Sequence, residues 1–154
     1  MHDLNSLILI LAHMGFSRNI RSTTLPPEGG TTNTELDAQG NENALGFSIR
    51  FNPAQWHFVS ASVGSDAVGA TLHVNDLAAK RGSIGIALAL PAGRALQAGA
   101  RQIVVLNFVA VRGQSGSVAA IEFADFPVMR EVVDAEANVL PVSFAIGREA
   151  VRKR

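Results

Sequence analysis

Imidazole is the side chain best suited to ligate a metal or move a proton near neutral pH, and this chain has four histidines, at positions 2, 13, 57 and 73. No two of them stand at the H-x-x-x-H or H-x-H spacing that brings both rings onto one ion. The chain has no cysteine, so disulfides, thiolate metal sites and cysteine nucleophiles are excluded. The stretch Asp134-Ala135-Glu136-Ala137-Asn138 opens like a calcium loop, but Val139 replaces the glycine of the sharp turn and Ala145 stands where the bidentate glutamate belongs. It reads as an Asx-type turn closing a hairpin into the last strand. Gly113-Gln114-Ser115-Gly116-Ser117 lacks the lysine and helix of a phosphate loop and the strand-to-helix setting of a nucleophile elbow, and reads as a turn. The acidic residues fall mostly in expected turns and termini, so no carboxylate pair stands out for acid/base work. The expectation is a non-enzyme with no catalytic residues, no metal site and no cofactor.

Binding chemistry is constrained in the same way. Thirteen Lys and Arg balance thirteen Asp and Glu, which leaves no overall field for nucleic acid, and the net +3 of Arg148–Arg154 reads as a solvated basic tail. Flat sugar-binding surfaces rely on exposed Trp and Tyr platforms, whereas this chain has a single Trp, Trp56, and no Tyr. A polysaccharide-binding alternative therefore rests on Trp56 and the loops around it. The apolar run Leu7–Ala12, extended by Met14 and Phe16, is too short for the roughly 20 residues of a membrane-spanning helix, and no basic start or A-x-A site accompanies it. No membrane span is expected.

The elements that would position any site are strands. A chain of 154 residues with 47% hydrophobic and 17% charged residues can bury one core. From Leu45 onward apolar residues alternate, and Gly, Asn and Pro punctuate the segments. On this parity Phe47, Ile49, Phe51, Val59, Leu72, Ile84, Ile86, Leu88, Phe108, Phe123, Val142 and Phe144 face inward, with Ser48 and Arg50 outward. Further strands are read at Gln102–Arg112, Val118–Phe126 and Leu140–Ile146. Helical signal is confined to single turns at Asp76–Lys80 and Asp134–Ala137. Seven or more short strands predict an all-β fold of two packed antiparallel sheets. The organisation reads as an appendage over residues 1–30, a β-sandwich over residues 31–147 and a tail over residues 148–154.

The segment from Asp37 to Ala54, with its strand ending in Phe51-Asn52-Pro53, resembles the second strand of a cohesin-type domain. Phe58–Gly64, Gly82–Pro91 and Arg130–Pro141 extend the resemblance in order and spacing over residues 31–147. The likeness is to cohesin-like domains of large bacterial surface or secreted proteins outside the cellulosome. It implies a jelly-roll sandwich, an extracellular or cell-surface setting, and a dockerin-type protein partner docked on one flat sheet face. The expected first strand is reduced here to Thr31–Leu36. The partner face is expected on the sheet of Gly46–Phe51, Ala70–Val74, Ile84–Leu90 and Gln102–Arg112. There Gly85, Ala87 and Ala89 keep the surface flat for a helix, and Arg50, Thr71 and His73 are its polar members. A spacer domain with no ligand of its own is the remaining alternative.

Overall fold

The computed structural model describes residues 17–25, 29–111 and 121–147. Among the described residues ten strands alternate with turns and one 3-10 turn, Ala79–Arg81, and no α-helix occurs. In chain order they are β1 (Asn19–Thr23), β2 (Gly29–Ala38), β3 (Ala44–Arg50), β4 (Trp56–Val63), β5 (Thr71–Asn75), β6 (Ser83–Ala89), β7 (Gly99–Ala110), β8 (Glu122–Ala124), β9 (Glu131–Val133) and β10 (Ser143–Gly147). One sheet has the order β10-β1-β2-β7-β4; the other has β5-β6-β3-β8, with β9 pairing farther along β3. All pairings are antiparallel except β1 with β10, which run parallel from Asn19↔Ser143 to Thr23↔Gly147.

Period-two alternation builds the core between the sheets. Phe47 and Ile49 of β3 and Ile84 and Ile86 of β6 are fully buried and face Leu36 of β2 and Val104, Leu106 and Phe108 of β7. Two edge-to-face aromatic chains span the gap: Phe47, Phe123 and Phe144 at one side, Phe51, Phe108 and Phe58 at the other, with centroids 5.1–5.6 Å apart. Such pairs add about 0.5–1.5 kcal/mol each beyond the area they bury.

Several sequence expectations are corrected here. The body does not begin at residue 31. Ile20 is 0% exposed in β1, which lies between β2 and β10, so residues 19–23 belong to the sandwich. A buried ion pair locks this strand in: Arg18 Nε donates to Glu42 at 2.7 Å, and its other nitrogens donate to the Pro141 carbonyl and the Asn41 side chain. The part of the expected appendage before residue 17 lies outside the described residues, as do residues 112–120 and the tail 148–154.

The strand expected to be reduced, Thr31–Leu36, is the centre of ten-residue β2. Its inward positions include Thr32 and Thr34, both buried, and β-branched threonine suits a strand while hiding the apolar alternation. Thr32 satisfies its hydroxyl on Ser22 and on the Thr23 carbonyl. Val59 is 57% exposed rather than inward, because the β4–β7 register shifts between Phe58 and Ser60 and Val59 is the extra residue of that bulge. Phe58 and Ala61 then both pack inward. Of the expected Val118–Phe126 strand, the described residues hold only Glu122–Ala124. The Asx turn at Asp134 forms, its carboxylate accepting from the Glu136 and Asn138 amides, but it does not close a hairpin into the last strand: Val133 makes a single bridge to Val139, and β10 pairs with β1 in the opposite sheet.

Candidate functional site

Strand register fixes which outward side chains stand side by side on the second sheet. Reading across β5, β6, β3 and β9, one row is Thr71, Ala89, Ala44 and Val133, and the next is His73, Ala87, Gly46 and Glu131. Methyl groups and a glycine at the centre, flanked by taller side chains, leave a trough. It forms a shallow groove of about 300 Å³ with an almost wholly apolar lining, to which Thr71, His73, Ala87 and Ala89 all contribute. His73 at one wall and Glu131 at the other are its ionisable members. Four of the expected face residues are thus brought together.

The other two are not. The following row is Asn75, Gly85, Ser48 and Ala124, and it is roofed over. Between β8 and β9 the chain leaves the sheet at residues 125–130 and lies back across its face. Ser48 is 0% exposed: its hydroxyl donates to the Val128 carbonyl and accepts from the Val128 amide, both at 2.7 Å. A Cβ at Gly85 would stand 2.6 Å from Val128 Cγ2 and 2.9 Å from Pro127 Cγ, so Gly85 is small to admit this flap rather than a partner. Ser83 donates to the Phe126 carbonyl at 3.0 Å, a second tie.

The flap's base is closed by Arg130, whose Nε and Nη2 meet the two carboxylate oxygens of Asp125 at 2.9 and 3.0 Å, while its guanidinium lies 5.8 Å from the Phe144 ring centroid. The Arg130 side chain, with the Arg130 amide, holds the Asp125 carboxyl down to about 2. Arg50 stands one row farther on, paired with Glu122 at 3.3 Å in solvent, and is removed from the groove by the width of the flap.

Two further expectations change with the geometry. Gln102–Arg112 does not contribute to this face, because β7 lies in the opposite sheet between β2 and β4. Trp56 is 3% exposed and packed in the core, so its ring offers no stacking platform. Its indole nitrogen is buried without a hydrogen-bond partner. Ala44, Gly46, Glu131 and Val133 line the groove without having been singled out in the sequence. The parity that placed Ser48 and Arg50 outward places Ala44 and Gly46 there too, whereas pairing of β9 with β3 leaves no local signal. Among the described residues no cluster of metal-ligating side chains occurs, and no helix is long and apolar enough to cross a membrane.

No family model matches the sequence, and no curated protein sequence matches it. Solved structures do match in fold. The sixth cohesin of scaffoldin B from Acetivibrio cellulolyticus, solved in complex with a Cel5 dockerin variant, aligns with a TM-score of 0.69 at 14% identity, over 84% of this chain and 94% of that one. A non-cellulosomal cohesin from the archaeon Archaeoglobus fulgidus aligns with a TM-score of 0.63 at 10% identity, over 87% and 94%. The solution structure of CaCohA2 from Clostridium acetobutylicum aligns with a TM-score of 0.64 at 12% identity, over 87% and 93%. The two-sheet architecture of this chain is the cohesin jelly-roll sandwich.

Proposed function

We propose that this chain is a non-catalytic protein-interaction module of cohesin type, and that the outer face of β5-β6-β3-β9 receives a helix of a dockerin-type partner in an extracellular or cell-surface assembly. The observation that carries the reading is the groove itself: small residues at Ala44, Gly46, Ala87 and Ala89 line an open, apolar trough between Thr71 and His73 on one side and Glu131 and Val133 on the other. A helix about 10–12 Å across needs a floor of this kind to bring its apolar side chains against a sheet. The fold likeness to cohesins solved with dockerins supports the partner class.

Ala87→Arg is the direct test, measured by isothermal titration against a panel of dockerin-type modules. Ala87 faces outward, so the substitution leaves the core untouched while setting a charged chain into the trough. Binding is expected to fall by at least about 30-fold, the scale of losing a central contact worth about 2 kcal/mol. Unchanged affinity in Ala87→Arg, or no binding of any such module to the parent protein, overturns the reading.

A further inference from the structure

The groove lies next to the point where the described chain begins, and that adjacency suggests an occupant. Arg18 donates to the Pro141 carbonyl at 2.7 Å, and the amide of the preceding Leu140 donates to the Val132 carbonyl at 2.8 Å. Val132 sits between Glu131 and Val133, the two groove residues contributed by β9. Three links therefore separate residue 18 from the groove wall. The surface on that side is apolar and open: Val139 in the turn beyond β9 is 67% exposed, and Met129, whose carbonyl lies by Gly46, is 62% exposed.

Residues 1–16 precede this point, and as an extended chain they reach at most about 55 Å. Their sequence matches the groove in polarity. Asp3 is their one Asp, Glu, Lys or Arg side chain, and Leu4, Leu7, Ile8 and Leu11 stand at the i, i+3, i+4, i+7 spacing that puts apolar side chains on one face of a helix. A stripe of apolar side chains exposed to water is unfavourable by the area left wet. The hollow that Ser17 and Arg18 themselves line is partly polar, walled also by Gln39, Asn41 and Ser143, whereas the groove offers an almost wholly apolar floor of small residues.

We infer that the segment containing Leu4–Leu11 docks in cis on the Ala44, Ala87, Ala89 groove, where it acts as a tethered competitor of the external partner. The inference rests on the partner reading only for its regulatory consequence; occupation of the groove by the segment stands independently of it. Tethering sets an effective concentration on the order of millimolar, so an external helix must out-compete a local one to bind.

The absence of native cysteine makes the test direct in the full chain. The pair Leu11→Cys with Ala89→Cys is compared under mild oxidation with Leu11→Cys with Ser62→Cys, whose second site lies on the exposed outer face of the opposite sheet. The groove pair is expected to form an intramolecular disulfide about tenfold or more faster than the control pair, as docking raises local concentration above that of a free tether. Leu7→Asp in the groove pair should return its rate to that of the control. Equal rates in the two pairs, or disulfides that form only between molecules, overturn the inference. Titration of the dockerin-type panel into the Leu7→Asp chain and the chain without substitutions separates the two proposals. Tighter binding to Leu7→Asp supports competition, and equal binding to both overturns it while leaving the partner reading intact. A fast groove disulfide with no module binding either chain would uphold occupation by the segment and defeat the partner reading.

Discussion

Ser48→Ala removes a single oxygen from the structure, and its consequence distinguishes a roofed sheet face from an open one. On an ordinary outward strand position the change would fall within about 0.5 kcal/mol of neutral. Here the hydroxyl both donates to and accepts from Val128 at 2.7 Å in a residue that is 0% exposed. Alanine leaves the Val128 amide and carbonyl without these partners. Each buried unpaired group costs about 1–3 kcal/mol, and since Val128 is only half-buried, water recovers part of that, so the net loss is placed at about 2 kcal/mol. With a urea slope of about 1–3 kcal/mol/M for small domains, the unfolding midpoint should drop by about 1 M. Phe47→Ala, a fully buried ring, should cost about 3–5 kcal/mol and calibrates the scale. Hydrogen exchange supplies the local readout: the Val128 amide should lose protection in Ser48→Ala by more than the global loss accounts for, because the flap opens before the sandwich does. A midpoint within error of the parent, or a global loss with no selective change at Val128, would refute the reasoning.

The buried Arg18–Glu42 pair should behave as a lock on β1: Glu42→Gln strands the guanidinium and is expected to lower stability by about 3–5 kcal/mol in urea titration. Burial pushes the Glu42 carboxyl up, but hydrogen bonds from the Gln39 amide, Arg18, its own amide and the Gly40 amide outweigh this and leave it below its ordinary 4.5. Its pH-linked stabilisation is therefore present above pH 4.5 and is lost as pH falls through the lowered value; the Glu42→Gln protein should lack that component of the acid limb. At the flap base, Asp125 should titrate near 2 by carboxyl NMR, and Arg130→Gln should return it toward 3.8. The sign is the same, so flap closure should be pH-independent above about 3.8 and weaken only as pH falls toward 2.

The inward set was legible because Phe, Ile and Leu alternate in β3 and β6 with nothing to blur the period. It was illegible in β1 and β2 for a chemical reason: Ser22, Thr32 and Thr34 occupy buried positions, the first two bonding to each other and Thr32 also to the Thr23 carbonyl, so a buried strand carries a polar sequence. Val59 shows a second limit. A bulge inverts parity downstream of itself, and the β4–β7 bulge is set by pairing with a partner strand more than forty residues away, not by any residue that marks it locally. The assignment of β7 to the face sheet failed likewise, since which sheet a strand joins is a matter of topology rather than composition.

The stripe of small residues illustrates why a surface and a covered seam look alike in sequence. Ala89, Ala87 and Gly85 on β6, with Ala44, Gly46 and Ser48 on β3, form one continuous strip of low side chains. Half of it is spent on the molecule itself: Val128 packs over Gly85 and Ser48 and sits 2.9 Å from where a Gly46 Cβ would stand. Only the remaining half, from Ala87 to Ala44, is open to anything else. Glycine in the strip marks where backbone must approach within the reach of a missing Cβ, and alanine marks where a methyl floor suffices; the structure sorts the two, with Gly85 under the flap and Ala89 exposed. A Gly85→Ala substitution should therefore disturb the flap and not the groove, whereas a larger residue at Ala89 should disturb whatever lies in the groove and not the flap. The two effects are separable because the Val128 contacts end at Gly46, one row short of Ala89.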